Sequence, residues 1–194
     1  MRYGRPVKVA AVILAAGAST RLGEPKQLIR LGGERLLERS IRVAHEARCS
    51  PVIVVFGASM AAIQRECNLQ DVVVAINPAW SEGMGSSIRC GMQVIPPDCA
   101  AVILMTCDQP AVTPQHLRQL ISHCDCAPVA STYANRRGVP ACFPSESFAE
   151  LSVLRGDEGA RRLLASALAI ELPGGDLDID TPEALEAVRA AYSS

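Results

Sequence analysis

A chain of 194 residues that is 49% hydrophobic but only 4% aromatic can bury one aliphatic core, and a single domain spanning residues 1–194 is expected. Its 19 basic and 20 acidic residues leave a formal net charge of −1, so no general field draws it to nucleic acid or to an anionic membrane. The apolar runs are strand-sized and end in Gly, Pro or Asp, and the first ten residues lack a signal-peptide core, so the expectation is a cytoplasmic protein without a membrane span.

Residues 9–16 read as a buried strand that breaks into a loop holding Gly17, Ser19, Arg21, Gly23, Pro25 and Lys26. Small residues let backbone N–H groups approach an anion, and a cation at each end of such a loop neutralises adjacent phosphates. The spacing is neither the P-loop G-x-x-x-x-G-K-[ST] nor the dinucleotide fingerprint G-x-G-x-x-G.

Beyond the loop, Gly32-Gly33 marks a turn, and apolar positions Leu36, Leu37, Ile41, Val43 and Ala44 predict a helix over 34–47. A strand at 52–56, a helix introduced by Gly57 and Ser59 and running to 66, and a strand at 72–76 follow. This alternation predicts an α/β fold with a mostly parallel sheet covered on both faces.

The stretch NPAWSEGMGSSIRCG at 77–91 follows a strand end. It leads into a helix expected from Ser86 or Ser87 to about residue 94, capped by one of those hydroxyls. Such a loop suits a ligand as well as an ordinary cap. The sole tryptophan, Trp80, is expected to pack the loop rather than stack on a base.

The clearest buried strand is 100–105, followed by Thr106, Cys107, Asp108, Gln109 and Pro110. A carboxylate at that strand end faces the same crevice as the first loop, so Asp108 can bind a divalent ion; a plain turn aspartate is the alternative. Thr113-Pro114 opens a helix to about 123. Short strands at 128–133 and 139–143 flank a hairpin-like turn at Asn135, Arg136, Arg137 and Gly138. Asp157 is expected to cap a helix from 158 to about 168, before a final strand at 169–172. Asp176, Asp178 and Asp180 then precede an N-cap at Thr181 and a helix from Pro182 to about 191. Most of the eight cysteines read as small buried hydrophobes, since His123, Cys124, Cys126 and Cys142 lack the paired spacing of a zinc site.

LAAGASTRLGEPKQL resembles the L-A-A-G-x-S-x-R-x-G-x-x-K signature of nucleotidyltransferases with a glycosyltransferase-A-like fold. The trailing Gln27-Leu28 is most like the molybdenum cofactor cytidylyltransferase branch. Three more stretches resemble that family: N-P-x-W-x-x-G-M-G-S-S-L-x-x-G with Ile88 for Leu, L-x-G-D-x-G-A-R at 154–161, and D-[IV]-D-T-P-E-D-L with Ala184 for the usual acidic residue. Cys107 stands where the family pattern G-D-Q-P has Gly, which places a side chain near the substrate approach.

The resemblance implies a three-layer Rossmann-like nucleotidyltransferase fold with a mostly parallel central sheet and a small hairpin extension. It implies nucleotide binding by Leu14, Ala15, Ala16, Gly17, Ser19, Arg21, Gly23, Lys26, Gly85, Ser86 and Ser87, with Arg21, Lys26 and Asp108 in catalytic roles. Mg²⁺ would lie between Asp108 and Asp180, with Asp178 in reserve, and the acceptor would meet Gln109, Arg136, Arg137 and Pro140. The implied reaction is transfer of CMP from CTP to the terminal phosphate of molybdopterin, whose dinucleotide form serves a molybdenum enzyme. Spacing alone leaves open GTP as donor, a sugar or polyol phosphate as acceptor, and a non-catalytic cofactor carrier.

Overall fold

The computed structural model describes residues 8–157 and 159–192. In chain order the elements are β1 (Val9–Ala15), β2 (Arg30–Leu31), β3 (Glu34–Arg35), α1 (Leu36–Glu46), β4 (Val52–Phe56), α2 (Met60–Glu66) and β5 (Val72–Ile76). They continue with α3 (Met84–Met92), β6 (Ala101–Thr106), α4 (Pro114–His123), β7 (Val129–Tyr133), β8 (Arg136–Pro144), α5 (Phe148–Leu151), β9 (Leu168–Glu171) and α6 (Pro182–Tyr192).

Seven strands form one sheet in the order β5-β4-β1-β6-β8-β7-β9, with β2 and β3 as a separate hairpin. Strands β5, β4, β1 and β6 are mutually parallel, β8 runs antiparallel to both β6 and β7, and β9 is parallel to β7. Only β8 is reversed, as the mostly parallel expectation requires. The register pairs Leu14 with Thr106 and Ala15 with Phe56, so the loops leaving β1, β4 and β6 emerge side by side. That crevice at the carboxyl strand ends is where α/β sheets hold ligands.

The core follows from alternation along buried strands. Val9, Ala11, Ile13 and Ala15 join one apolar layer with Leu37, Ile41 and Leu117, while Ala10, Val12 and Leu14 join the other with Ile88, Met92 and Phe143. Small side chains let α3 lie close to the sheet, for a Cβ on Gly91 would stand 2.5 Å from Val12 Cγ1. A third cluster packs Leu22, Ile29 and Leu36 against Ile179, Leu185 and Val188, fastening α6 over the loop after β1. Among the described residues no helix is long and apolar enough to cross a membrane.

Four local expectations change. The helix read from 34 starts at Leu36, because Gly32 (φ +59°) and Gly33 (φ +87°) turn the chain into a β2–β3 hairpin first. Helix α3 starts at Met84 behind Gly83 (φ +110°), so Ser86 and Ser87 lie inside it and neither caps it. The hairpin turn is Ala134-Asn135, both left-handed, which puts Arg136 and Arg137 in β8. The helix expected at 158–168 is only a 3₁₀ turn at Arg161–Leu164: Gly156 (φ +65°) and Gly159 (φ +54°) break it, and Glu158 lies outside the described residues. The other two caps form as expected, with Thr113 Oγ1 accepting from His116 N at 3.2 Å and Thr181 Oγ1 from Ala184 N at 3.3 Å.

Candidate active site

Three distant segments meet beside the carboxyl end of β1. The Lys26 ammonium donates to Asp108 Oδ2 and, at 2.8 Å, to Asp180 Oδ1, while Arg21 Nη2 reaches Asp180 Oδ2 at 3.0 Å. Asp108 leaves the end of β6, and Ile179 N donates to its carbonyl at 3.1 Å, with the Ile179 side chain anchored in the third cluster. One aspartate therefore places the other.

The β1 loop is shaped from within. Ser19 adopts φ +52°, its carbonyl accepts from Leu22 and Gly23, and its Oγ accepts from Lys26 N at 3.1 Å. Gly23 has φ +80°, a conformation that favours glycine. Gln27 is fully buried, and its Nε2 donates to Ala15 O at 2.8 Å, fixing the chain beside Lys26.

Burial alone would pull the Lys26 pKa down, but the charges and hydrogen bonds of Asp108 and Asp180 outweigh it and raise it. Asp180 is pushed up by burial, yet Lys26 and Arg21 hold it below the usual carboxylate range. Asp178 is pushed up to about 6, first by burial and then by the charges of Asp108 and Asp180; its Oδ1 is buried without a hydrogen-bond partner. Burial, followed by the Asp108 charge, raises the Cys107 thiol to about 12. Its side chain packs in the core with Val112 and Leu117 rather than lining the cleft, so it does not narrow the substrate approach.

The cleft above these groups has a volume of about 1040 Å³. Leu14, Ala16, Gly17, Arg21 and Lys26 line one end, with Trp80, Gly83, Met84 and Ser87 alongside; Asp108, Gln109, Asp178 and Asp180 form the floor. Tyr133, Arg136, Arg137, Asp157 and Arg161 line the wall carried by β7, β8 and the segment after α5.

Several expected residues are not part of this surface. Ala15, Ser19, Gly23, Gly85 and Ser86 do not line the cleft. The Ser86 hydroxyl donates within the loop, to Ala79 O at 2.9 Å or Gly83 O at 2.8 Å, and accepts from Asn77 Nδ2 at 2.8 Å. Pro140 is buried in β8, where its carbonyl accepts from Ser131 Oγ at 2.6 Å, and it does not line the cleft. Arg137 borders the cleft but donates to Ala167 O at 3.0 Å and Ala165 O at 3.2 Å. Gln109 donates to Tyr133 Oη at 3.1 Å and Gly175 O at 3.2 Å. Trp80 packs against the loop after β4, its Cβ lying where a Cβ on Gly57 would collide at 2.5 Å, and the partly exposed residue also borders the cleft.

Sequence reasoning passed over Asn77, Tyr133 and Arg161. Arg161 carries a signal, as the last residue of the L-x-G-D-x-G-A-R stretch. Asn77 carries one too, as the first residue of the N-P-x-W stretch, whereas Tyr133 enters only through long-range folding. Among the described residues no group of three or more His, Cys, Asp or Glu side chains could hold a metal ion by itself.

Residues 11–171 match the MobA-like NTP transferase domain. The chain belongs to the MobA-like NTP transferase family. Members of this family are nucleotidyltransferases that bind nucleoside triphosphates and phosphate-bearing acceptors and use divalent metals. The purine catabolism protein PucB of Bacillus subtilis is 31% identical, over 94% of this chain and 96% of its own. Nicotine blue oxidoreductase of Paenarthrobacter nicotinovorans is 33% identical, over 80% of this chain and 81% of its own. The crystal structure of Rv0371c from Mycobacterium tuberculosis superimposes with a TM-score of 0.82 at 29% identity, covering 95% of this chain and 98% of that one; a second structure of Rv0371c is a manganese complex.

Proposed function

We propose that this MobA-like transferase moves CMP from CTP to the terminal phosphate of molybdopterin, with or without molybdenum, and releases pyrophosphate. The observation that carries nucleotidyl transfer is the meeting of Lys26, Asp108 and Asp180 on the floor of one cleft, beside the β1 loop. The cytidine and molybdopterin assignments are supported by the motif resemblance. Gln27 offers no support for the base, since it is buried beneath the loop.

The donor set fits Mg²⁺. Two carboxylates already converge on one cation, and Asp178 adds a buried oxygen without a partner; a hard ion needs only one or two carboxylates when phosphates and water complete its shell. Asp108 and Asp180 would hold it, and when bound it would neutralise charge on the phosphates.

The chain supplies the rest. Lys26 and Arg21 exchange their carboxylates for phosphate oxygens, and backbone N–H groups around Gly17 approach the triphosphate. Ser87, at the cleft surface of α3, faces the nucleoside side, while Gln109 and Arg136 orient the acceptor. A phosphate nucleophile is ionised near neutral pH, so no general base is required; positioning and charge neutralisation carry the reaction.

Pyrophosphate release with CTP, GTP, ATP and UTP, each with and without molybdopterin, tests the reading. Release dependent on molybdopterin and greatest with CTP is expected. A preference for GTP would transfer the proposal to that donor, and no release with any pair would favour a carrier with an idle nucleotide site.

A further inference from the structure

Arg21, Lys26, Arg136, Arg137 and Arg161 all line the cleft. Three of these cations are committed within the fold. Lys26 and Arg21 hold Asp108 and Asp180, and Arg137 gives its guanidinium to two backbone carbonyls. Arg136 and Arg161 are exposed, and among the described residues neither guanidinium makes a hydrogen bond or an ion pair; only the Arg136 backbone is bonded, its carbonyl accepting from Thr132 Oγ1. Asp157 borders the same cleft but pairs with neither of them.

The reason these two arginines share a wall is built into the chain. Arg137 ties β8 to residues 165 and 167, directly after the 3₁₀ turn that begins at Arg161. Leu164 secures the same turn by inserting into the core. Arg136 is thus held on the strand and Arg161 on the turn joined to it. Each guanidinium offers a planar fork of N–H donors that matches phosphate oxygens, and two such forks in one concave surface, with no acid paired to them, are satisfied by an anion.

We infer that Arg136 and Arg161 form an anion subsite that grips a phosphomonoester of the second substrate, with Arg161 a specificity-determining residue for the acceptor. The identity of the occupant as acceptor rests on the transferase reading; the anion subsite does not. Lys26 and Arg21, with the carboxylates paired to them, are left for the metal-bound triphosphate, so the two anions take different cations of one cleft.

Titration calorimetry of the full chain with phenyl phosphate tests this, with Mg²⁺ and saturating pyrophosphate present to occupy the Lys26 end. Binding should persist under pyrophosphate, and Arg136→Gln and Arg161→Gln should each weaken it about tenfold, the worth of a charge-assisted contact. Neither variant should alter the circular dichroism spectrum or melting temperature, because neither side chain has a structural partner. Arg162→Gln, an exposed neighbour off the cleft, should leave binding unchanged. Benzoate should bind more weakly than phenyl phosphate, and benzyl alcohol should not bind.

Phenyl phosphate binding that vanishes with pyrophosphate, an Arg161→Gln variant that binds like the parent, or an equal loss in Arg162→Gln would each overturn the subsite. An absence of nucleotidyl transfer with molybdopterin would instead remove the transferase reading and leave the titration result standing.

Discussion

Replacing Lys26 by methionine keeps most of the side-chain volume and deletes the one charge that separates Asp108 from Asp180. The aspartate side chains are 10% and 38% exposed, so the deletion leaves one nearly buried and one partly screened carboxylate facing each other. Removing one partner of a fully buried pair costs about 3–5 kcal/mol; partial exposure and the surviving Arg21 contact reduce this to about 2–3 kcal/mol. In a domain of this size that lowers the melting temperature by about 4–12 °C, readable by circular dichroism in EDTA at pH 7.5. Manganese should reverse the loss, since an ion at a hundredfold excess over its dissociation constant contributes about 2.7 kcal/mol. The variant should also bind Mn²⁺ more tightly than the parent, because the ammonium competes for the same oxygens. Its turnover should nevertheless fall by about 30- to 1000-fold, the loss of a preorganised contact worth about 2–4 kcal/mol in the transition state. An unchanged melting temperature in EDTA would refute the pairing energetics, and Mn²⁺ affinity equal to or below the parent's would refute the shared carboxylate site.

Asp178 is raised to about 6 from 3.8, so the fold favours its protonated form: the penalty is absent below about pH 4 and fully present above about pH 6. Asp178→Asn should therefore stabilise the metal-free protein by about 1–2 kcal/mol at pH 7.5 and not at pH 4, as read from urea midpoints; equal gains at both would locate the effect elsewhere. Gln27→Leu orphans the Ala15 carbonyl and should cost about 1–2 kcal/mol while leaving the ratio of CTP to GTP turnover unchanged. A shifted ratio would mean that Gln27 influences the base from behind the loop. Gly91→Ala gains about 1 kcal/mol in helix propensity but forces a Cβ to 2.5 Å from Val12 Cγ1 and 3.1 Å from Val55 Cγ2. Overpacking should win by about 1–2 kcal/mol, and a raised urea midpoint would show that α3 can shift.

The strands were legible because buried parallel strands are continuous apolar runs ended by Gly, Pro or Asp, as at Val9–Ala15 and Ala101–Thr106. Lys26, Asp108 and Asp180 were legible as candidates because each follows a strand or precedes a helix with the expected chemistry, and the fold brings them together. The start of α3 was not legible. A serine before an apolar run looks like a cap, and only the tertiary bonds from Asn77 to Ser86 and Ser87 draw both serines inside the helix. Ala134 in a left-handed turn gives no local signal, so the hairpin was displaced by one to two residues and Arg137 was read as a loop cation instead of a cross-strand tie. A glycine pattern gives no indication of where the Cys107 side chain goes; it packs into the core.

The ammonium of Lys26 meets a carboxylate 82 positions away and another 154 positions away. Closing so long a stretch of chain carries an entropic cost that nearby contacts do not share, so this small triad matures only after the strands between have found their order. A partly folded form that has joined β1 to β6 would already possess half of it and lack the rest. A spectroscopic reporter at Lys26 would therefore distinguish complete assembly from its nearest intermediate, which a measure of helix content alone would miss.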